Sequence, residues 1–213
     1  MKFTHVVFDV DGTLLDTEMM VLNSLSETLR RACGRNIPPE ELTFALGIPG
    51  EDALRQLRVE SPDKVGELWI SLSKEYSNTI QVFPGIRETV DRLRQRGVRL
   101  GIITSRTKPE YRQDFVPTGL AEFFSVSVCS DDTERHKPFG DPMEEYLRRS
   151  GADRSAVIYV GDSVYDMECA RAAGVSCALA LWGCKNPGGI VSDLRLQKPE
   201  EILAVLEGLS GIK

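Results

Sequence analysis

Histidine is scarce in this chain of 213 residues. Only His5 and His136 are present, too few for a histidine-rich metal centre. Cysteine occurs without a pattern: Cys33, Cys129, Cys169, Cys177 and Cys184 are odd in number and never spaced Cys-x-x-Cys. That excludes a zinc site of the usual spacing and a disulfide framework, and it leaves buried reduced thiols. Positive charge is not in excess. With 26 Lys and Arg against 32 Asp and Glu the net charge is -6, which argues against general affinity for nucleic acid or an anionic membrane surface. No apolar run approaches the ~18 residues of a membrane helix, and the N-terminus enters a strand pattern with no signal-peptide h-region. Internal repeats and low-complexity segments are lacking too. The expectation is a cytoplasmic protein with no nucleic-acid and no membrane partner.

What is present is enough apolar residue, 41%, for a sizeable core, and one stretch that organises the rest: Val6-Val7-Phe8-Asp9-Val10-Asp11-Gly12-Thr13-Leu14-Leu15-Asp16-Thr17. The β-favouring run Thr4 to Phe8 predicts a buried strand that ends in two carboxylates before a glycine. Side chains two apart on extended backbone share a side, so Asp9 and Asp11 are expected together at the strand's carboxyl end, the ligand edge of an open α/β sheet. Two anions there need a metal, or a division of roles in which one carboxylate holds a proton. A plain turn is the simpler reading of Asp-x-Asp-Gly. A calcium loop fails, because the twelfth position from Asp9 is Met20 rather than Glu.

Along the chain, Leu22, Leu25, Leu29, Ala32 and Cys33 follow helical spacing after Asp16, a candidate cap. Short helices are expected around Glu40 to Leu46 and Glu51 to Leu57, and a longer one after Ser61-Pro62. Residues 16–81 thus read as all helical. From Phe83-Pro84-Gly85 onward helix and strand alternate, with strands at Val98 to Thr104, Ser125 to Cys129, Val157 to Gly161 and Ser176 to Leu181, the pattern of a parallel sheet flanked by helices. Right-handed crossovers would bring the loops after Asp9, Thr104, Cys129 and Gly161 to one edge. The helical stretch then interrupts the sheet domain directly after the paired carboxylates.

Those loops hold Thr104-Ser105-Arg106, Arg135-His136-Lys137-Pro138 and Gly161-Asp162-Ser163-Val164-Tyr165-Asp166. Singly these are a strand-ending hydroxyl, a basic turn and a helix cap; together they form a constellation at one sheet edge. Phe8 to Thr17 and these three segments resemble the four motifs of the haloacid dehalogenase-like (HAD) phosphohydrolases. The resemblance implies a Rossmann-like parallel sheet with helices on both faces, residues 1–15 and 82–213, plus an inserted α-helical cap, residues 16–81. It also implies Asp9 as nucleophile, Asp11 as acid/base, Thr104, Ser105 and Lys137 as phosphate ligands, and Mg²⁺ held at Asp9, Asp11 and Asp162 with the Val10 carbonyl, Asp166 supporting the metal directly or through water. Ser130-Asp131-Asp132 through Lys137-Pro138 looks like the phosphoglycolate phosphatase and pyrophosphatase branch.

The chemistry needs these residue types. An anionic nucleophile cannot approach an anionic phosphate until charge is offset, and one opposite charge at 4 Å contributes ~4 kcal/mol at an effective dielectric of 20, so several are required. The expectation is a Mg²⁺-dependent phosphatase of a small phosphorylated metabolite, monomeric or weakly dimeric. A phosphomutase of the beta-phosphoglucomutase type, a pyrophosphatase and an idle metabolite-binding member are the alternatives. Asp11 argues against dehalogenation, because halide leaves without a proton. Gly47, Glu51, Asp52 and Arg55 are the expected substrate loop of the cap. Its acidic Glu51-Asp52 argues against pyrophosphate and phosphoglycolate, whose relatives often carry a base near this point.

Overall fold

The computed structural model describes residues 2–46, 48 and 50–208. Two compact units emerge, one from the residues up to Leu15 together with those from Val82 on, the other Asp16–Gln81. The chain opens with strand β1 (His5–Phe8), followed by the two-residue β2 (Leu15–Asp16). The helical unit comprises α1 (Glu18–Cys33), a 3-10 turn Pro39–Ala45, α2 (Gly50–Gln56), α3 (Pro62–Ser73) and a second 3-10 turn Lys74–Thr79. Leu22, Leu25, Leu29, Leu42, Leu54 and Val65 form its own apolar core, as the helical spacing requires. Asp16 Oδ1 accepts the Glu18 N–H at 3.2 Å at the start of α1. Ser61, expected to cap α3, makes no side-chain cap and sits at φ 55°.

The chain continues through β3 (Gln81–Val82), which forms a separate two-stranded ribbon with β2, then α4 (Ile86–Gln95), β4 (Arg99–Ile103), α5 (Lys108–Glu110), β5 (Val126–Val128), α6 (Asp141–Ser150), β6 (Val157–Gly161), α7 (Val164–Ala172), β7 (Ser176–Ala180), β8 (Leu194–Leu196) and α8 (Glu201–Leu206). The segment after α5 widens into a π-helical turn at Tyr111–Phe115. Strand β8 is absent from the sequence reading; three residues are too few to display an alternating pattern.

The main sheet has the order β5-β4-β1-β6-β7-β8, and its pairs are parallel. Val7 pairs with Gly101 and Tyr159 and belongs to a core with Ile103, Met143, Tyr146 and Met167, which places α6 and α7 on that face. By alternation Val6, Phe8, Leu100, Ile102, Ile158 and Val160 look the other way. They too are buried, so both faces are covered, as a parallel sheet demands. The topology reverses between β1 and β6, and the crevice at such a switch point is where open α/β sheets bind ligands. No helix among the described residues is long and apolar enough to cross a membrane.

Candidate active site

Phe8 pairs with Ile102 on one side and Val160 on the other, so Asp9, Thr104 and Asp162 emerge along the carboxyl edge. Asp9 is buried, and its Oδ1 accepts Lys137 Nζ at 2.7 Å. The same ammonium donates to Asp166 Oδ1 at 2.7 Å. Burial opposes the charge on Lys137, but Asp166 and Asp9 outweigh it and hold the amine above its ordinary pKa. Burial also pushes Asp9 up, only partly countered by Lys137, to about 7. Asp162, pressed by burial and by Asp166 and Asp9, lies well above the usual carboxylate range.

Carboxylate oxygens of Asp9, Asp162 and Asp166 lie within 4.8 Å of one another. Three acids face one lysine, so with all of them ionised the cluster would carry an excess of negative charge. An all-oxygen donor set with that excess fits a hard divalent cation such as Mg²⁺. Asp166 is the least available of the three. Its Oδ1 accepts Lys137 and, at 2.9 Å, the Tyr159 hydroxyl; its Oδ2 accepts the Ser163 N–H at 3.0 Å and Ser163 Oγ at 2.5 Å. Both oxygens are engaged by protein donors, so Asp166 caps α7 and positions Lys137 while Asp9 and Asp162 keep the outlook toward a cation. The Val10 carbonyl, an expected ligand, accepts the N–H groups of Leu14 and Leu15 at 2.9 and 2.8 Å, closing the loop on itself.

Asp11 is not among the clustered acids. Its two oxygens accept Nε and Nη2 of Arg106 at 2.8 and 2.7 Å, and Arg106 Nη1 donates to the buried Asp114. Burial works against the guanidinium charge, yet Asp11 and Asp114 raise its pKa further above the ordinary value. The backbone turns away from strand geometry here: Gly12 has φ 78°, and a Cβ there would stand 2.3 Å from Asp162 Oδ2, a conformation and a space only glycine provides. Thr104 is buried, and its Oγ1 accepts the Arg106 N–H at 3.2 Å. The buried Ser105 Oγ has no hydrogen-bond partner among the described residues.

Glu51, Asp52 and Arg55 lie in α2, where Arg55 pairs with both acids, with Asp52 at 3.3 Å, on an exposed surface. Gly47 lies outside the described residues. Several site residues escaped the sequence reading. Arg106 follows Thr104-Ser105 directly, and a cation at a strand's ligand edge was the available signal. Tyr159 sits in an otherwise aliphatic buried strand, where a hydroxyl needs a partner. Trp182 donates its indole N–H to the Thr13 carbonyl at 2.9 Å, and beside it a Cβ on Gly183 would fall 1.7 Å from the Gly12 oxygen. The Trp182-Gly183 turn therefore lies directly against the Asp9 loop.

A family model for haloacid dehalogenase-like hydrolases matches residues 6–180. The chain belongs to this family. Among its relatives, the pyrophosphatase PpaX of Bacillus velezensis is 27% identical over 100% of this chain and 98% of the relative. The PpaX of Halalkalibacterium halodurans is 29% identical over 84% of each chain. Among solved structures, an inferred phosphoglycolate phosphatase from Lactobacillus plantarum superposes with a TM-score of 0.90 at 26% identity, covering 96% of this chain and 100% of that one. The HAD fold expected from the motifs is thus established, and with it hydrolase membership; the names of the relatives are theirs.

Proposed function

We propose that the protein is a Mg²⁺-dependent phosphatase of a small organic phosphate monoester and that it works through an aspartyl-phosphate on Asp9. The observation that carries this reading is the buried Asp9 carboxylate at the switch point, bonded to Lys137 and grouped with Asp162 and Asp166. Asp9 and Asp162 would hold the metal, which when bound supplies Lewis-acid charge neutralisation. Lys137 offsets charge on the nucleophile's side, and Ser105 Oγ, with the N–H groups that follow Thr104, offers donors to the phosphoryl oxygens. Asp9 attacks phosphorus; the P–O bond to the leaving group breaks, its oxygen keeps the electron pair, and Asp11 gives that oxygen a proton. Water then attacks the acyl-phosphate while Asp11 takes up its proton, and phosphate leaves as Asp9 is restored.

A second reading, hydrolysis of pyrophosphate, is favoured by the full-length relatives named pyrophosphatases. The acidic substrate loop argued against it, but Glu51 and Asp52 are both paired with Arg55, so their charge is partly compensated. The test is phosphate release with Mg²⁺ or EDTA from p-nitrophenyl phosphate, phosphoglycolate, a polyol phosphate and pyrophosphate, with mass spectrometry of the acid-quenched enzyme for phosphate on Asp9. Turnover undiminished in EDTA, or no phosphorylated Asp9 with any monoester, overturns the first reading. A kcat/KM for pyrophosphate about tenfold above every monoester, some 1.4 kcal/mol in transition-state binding, selects the second.

A further inference from the structure

We infer that Arg106 is the positioning residue for Asp11, and that Asp114 in turn braces Arg106. This rests on the reading of Asp11 as acid/base. Its evidence is a graded chain of charge: the side chains of Asp114, Arg106 and Asp11 are 3%, 8% and 25% exposed, running from the interior to the site. The inner two are walled in, and the carboxylate that would exchange protons with the leaving group is at the open end. Arg106 meets Asp11 with Nε and Nη2, one to each oxygen, the two-point geometry that fixes a carboxylate's plane as well as its place. Its backbone is anchored on both sides, the N–H to Thr104 Oγ1 and the carbonyl receiving the Ser130 N–H at 2.9 Å. Asp114 comes from the π-helical turn, an irregularity frequent at functional sites, and its other oxygen accepts Gln113 Nε2 at 3.1 Å.

Sheet stability does not call for such an arrangement, since well-packed apolar side chains commonly replace a whole buried ion pair or triad without loss. The fork instead removes rotational freedom from a carboxylate that follows the end of β1 and precedes a glycine turn. A loosely held acid loses rate because a small misplacement from the leaving oxygen is costly. Lysine at 106 would keep the charge and lose the two-point contact.

The experiment is a double-mutant cycle on the Mg²⁺-loaded enzyme, with Arg106→Lys, Asp11→Asn and the double variant. Single-turnover phosphorylation is measured with p-nitrophenyl phosphate and with an unactivated alkyl phosphate. Arg106→Lys is expected to slow phosphorylation by the alkyl phosphate about 10- to 100-fold, a part of the roughly 10²- to 10⁴-fold that general acid catalysis supplies, with KM nearly unchanged and a much smaller effect on p-nitrophenyl phosphate. In the Asp11→Asn background the same change should have almost no effect, because the group it positions is gone. Asp114→Asn, which leaves the fork residues in place, should give the same pattern more weakly, and it carries the test if the lysine variant does not fold. An undiminished Arg106→Lys effect in the Asp11→Asn background, or a rise in KM with kcat intact, overturns the proposal, the latter by showing that Arg106 binds substrate itself. If Asp11→Asn alone slows both substrates equally, the acid assignment fails first, and the positioning role with it.

Discussion

Replacing Lys137 by Met keeps the long apolar stem and deletes the ammonium that holds two buried carboxylates. Each of its contacts, to Asp9 and to Asp166, is 2.7 Å, a distance at which a unit charge pair is worth about 6 kcal/mol at an effective dielectric of 20. Desolvation of three buried charges offsets much of this, and breaking a buried pair by removing one partner costs about 3–5 kcal/mol. For a chain of this size that is a fall in Tm of roughly 6–20 °C. The pH dependence has a definite sign. The folded pKa of Lys137 is raised, so its contribution is fully present below the ordinary lysine value and is lost only as pH rises beyond it. Asp9 is raised to about 7 even with Lys137 beside it; without the amine it rises further. A carboxyl raised on folding stabilises less as pH climbs from its unfolded value toward its folded one. The variant should therefore lose more stability than wild type between pH 5 and 8, and Mg²⁺ should restore more Tm to it by occupying the acidic cluster. Thermal melts by circular dichroism in EDTA and in Mg²⁺ at both pH values measure this. A Lys137→Met protein within about 2 °C of wild type at pH 8 in EDTA, less than 1 kcal/mol on the scale above, would refute the charge argument.

Four further outcomes are expected. Asp11→Asn should slow enzyme phosphorylation by an alkyl phosphate at least about 100-fold and by p-nitrophenyl phosphate far less, read by rapid quench; equal losses would contradict a proton-donor role. Gly183→Ala, whose Cβ would meet the Gly12 oxygen at 1.7 Å, should displace the loop carrying Asp11, costing about 1–3 kcal/mol by urea denaturation together with activity. Asp132 accepts Lys108, Arg149 and the Cys129 N–H; despite opposing burial, these hold its pKa below the ordinary carboxylate value. Its stabilisation is therefore fully present above the ordinary carboxylate range and is lost only as pH falls on through the lowered folded pKa, so Asp132→Asn should lower the Tm most at pH 7 and progressively less as the medium is acidified below the ordinary carboxylate value. Glu51→Gln with Asp52→Asn, which frees Arg55 of both partners, should raise the ratio of kcat/KM for phosphoglycolate over a polyol phosphate at low ionic strength, and an unchanged ratio would remove these residues from substrate selection.

The local grammar of the chain was enough to determine the architecture. Buried apolar runs alternating with amphipathic helices mean a parallel sheet, and the consistent hand of its crossovers sends every strand's carboxyl end to one edge, which groups Asp9, Thr104 and Asp162 on sequence grounds alone. Their residue types marked the chemistry, since carboxylates rarely end core strands without a task. Periodicity, however, reports which face a residue shows and not what it meets there. The pairing of Asp11 with Arg106 spans 95 positions and that of Asp9 with Lys137 spans 128, and Coulomb attraction depends on separation in space alone. Only the folded chain could decide that Asp9 and Asp11, two apart and expected together, take different partners, because the strand ends at Phe8 and the chain bends at Val10, before Asp11 is reached. The same holds for the Tyr159 hydroxyl on Asp166, the Val10 carbonyl closed into its own loop, and the Trp182-Gly183 turn against Gly12. Each depends on a loop conformation that hydrogen bonds and packing select collectively, with no periodic trace in the sequence.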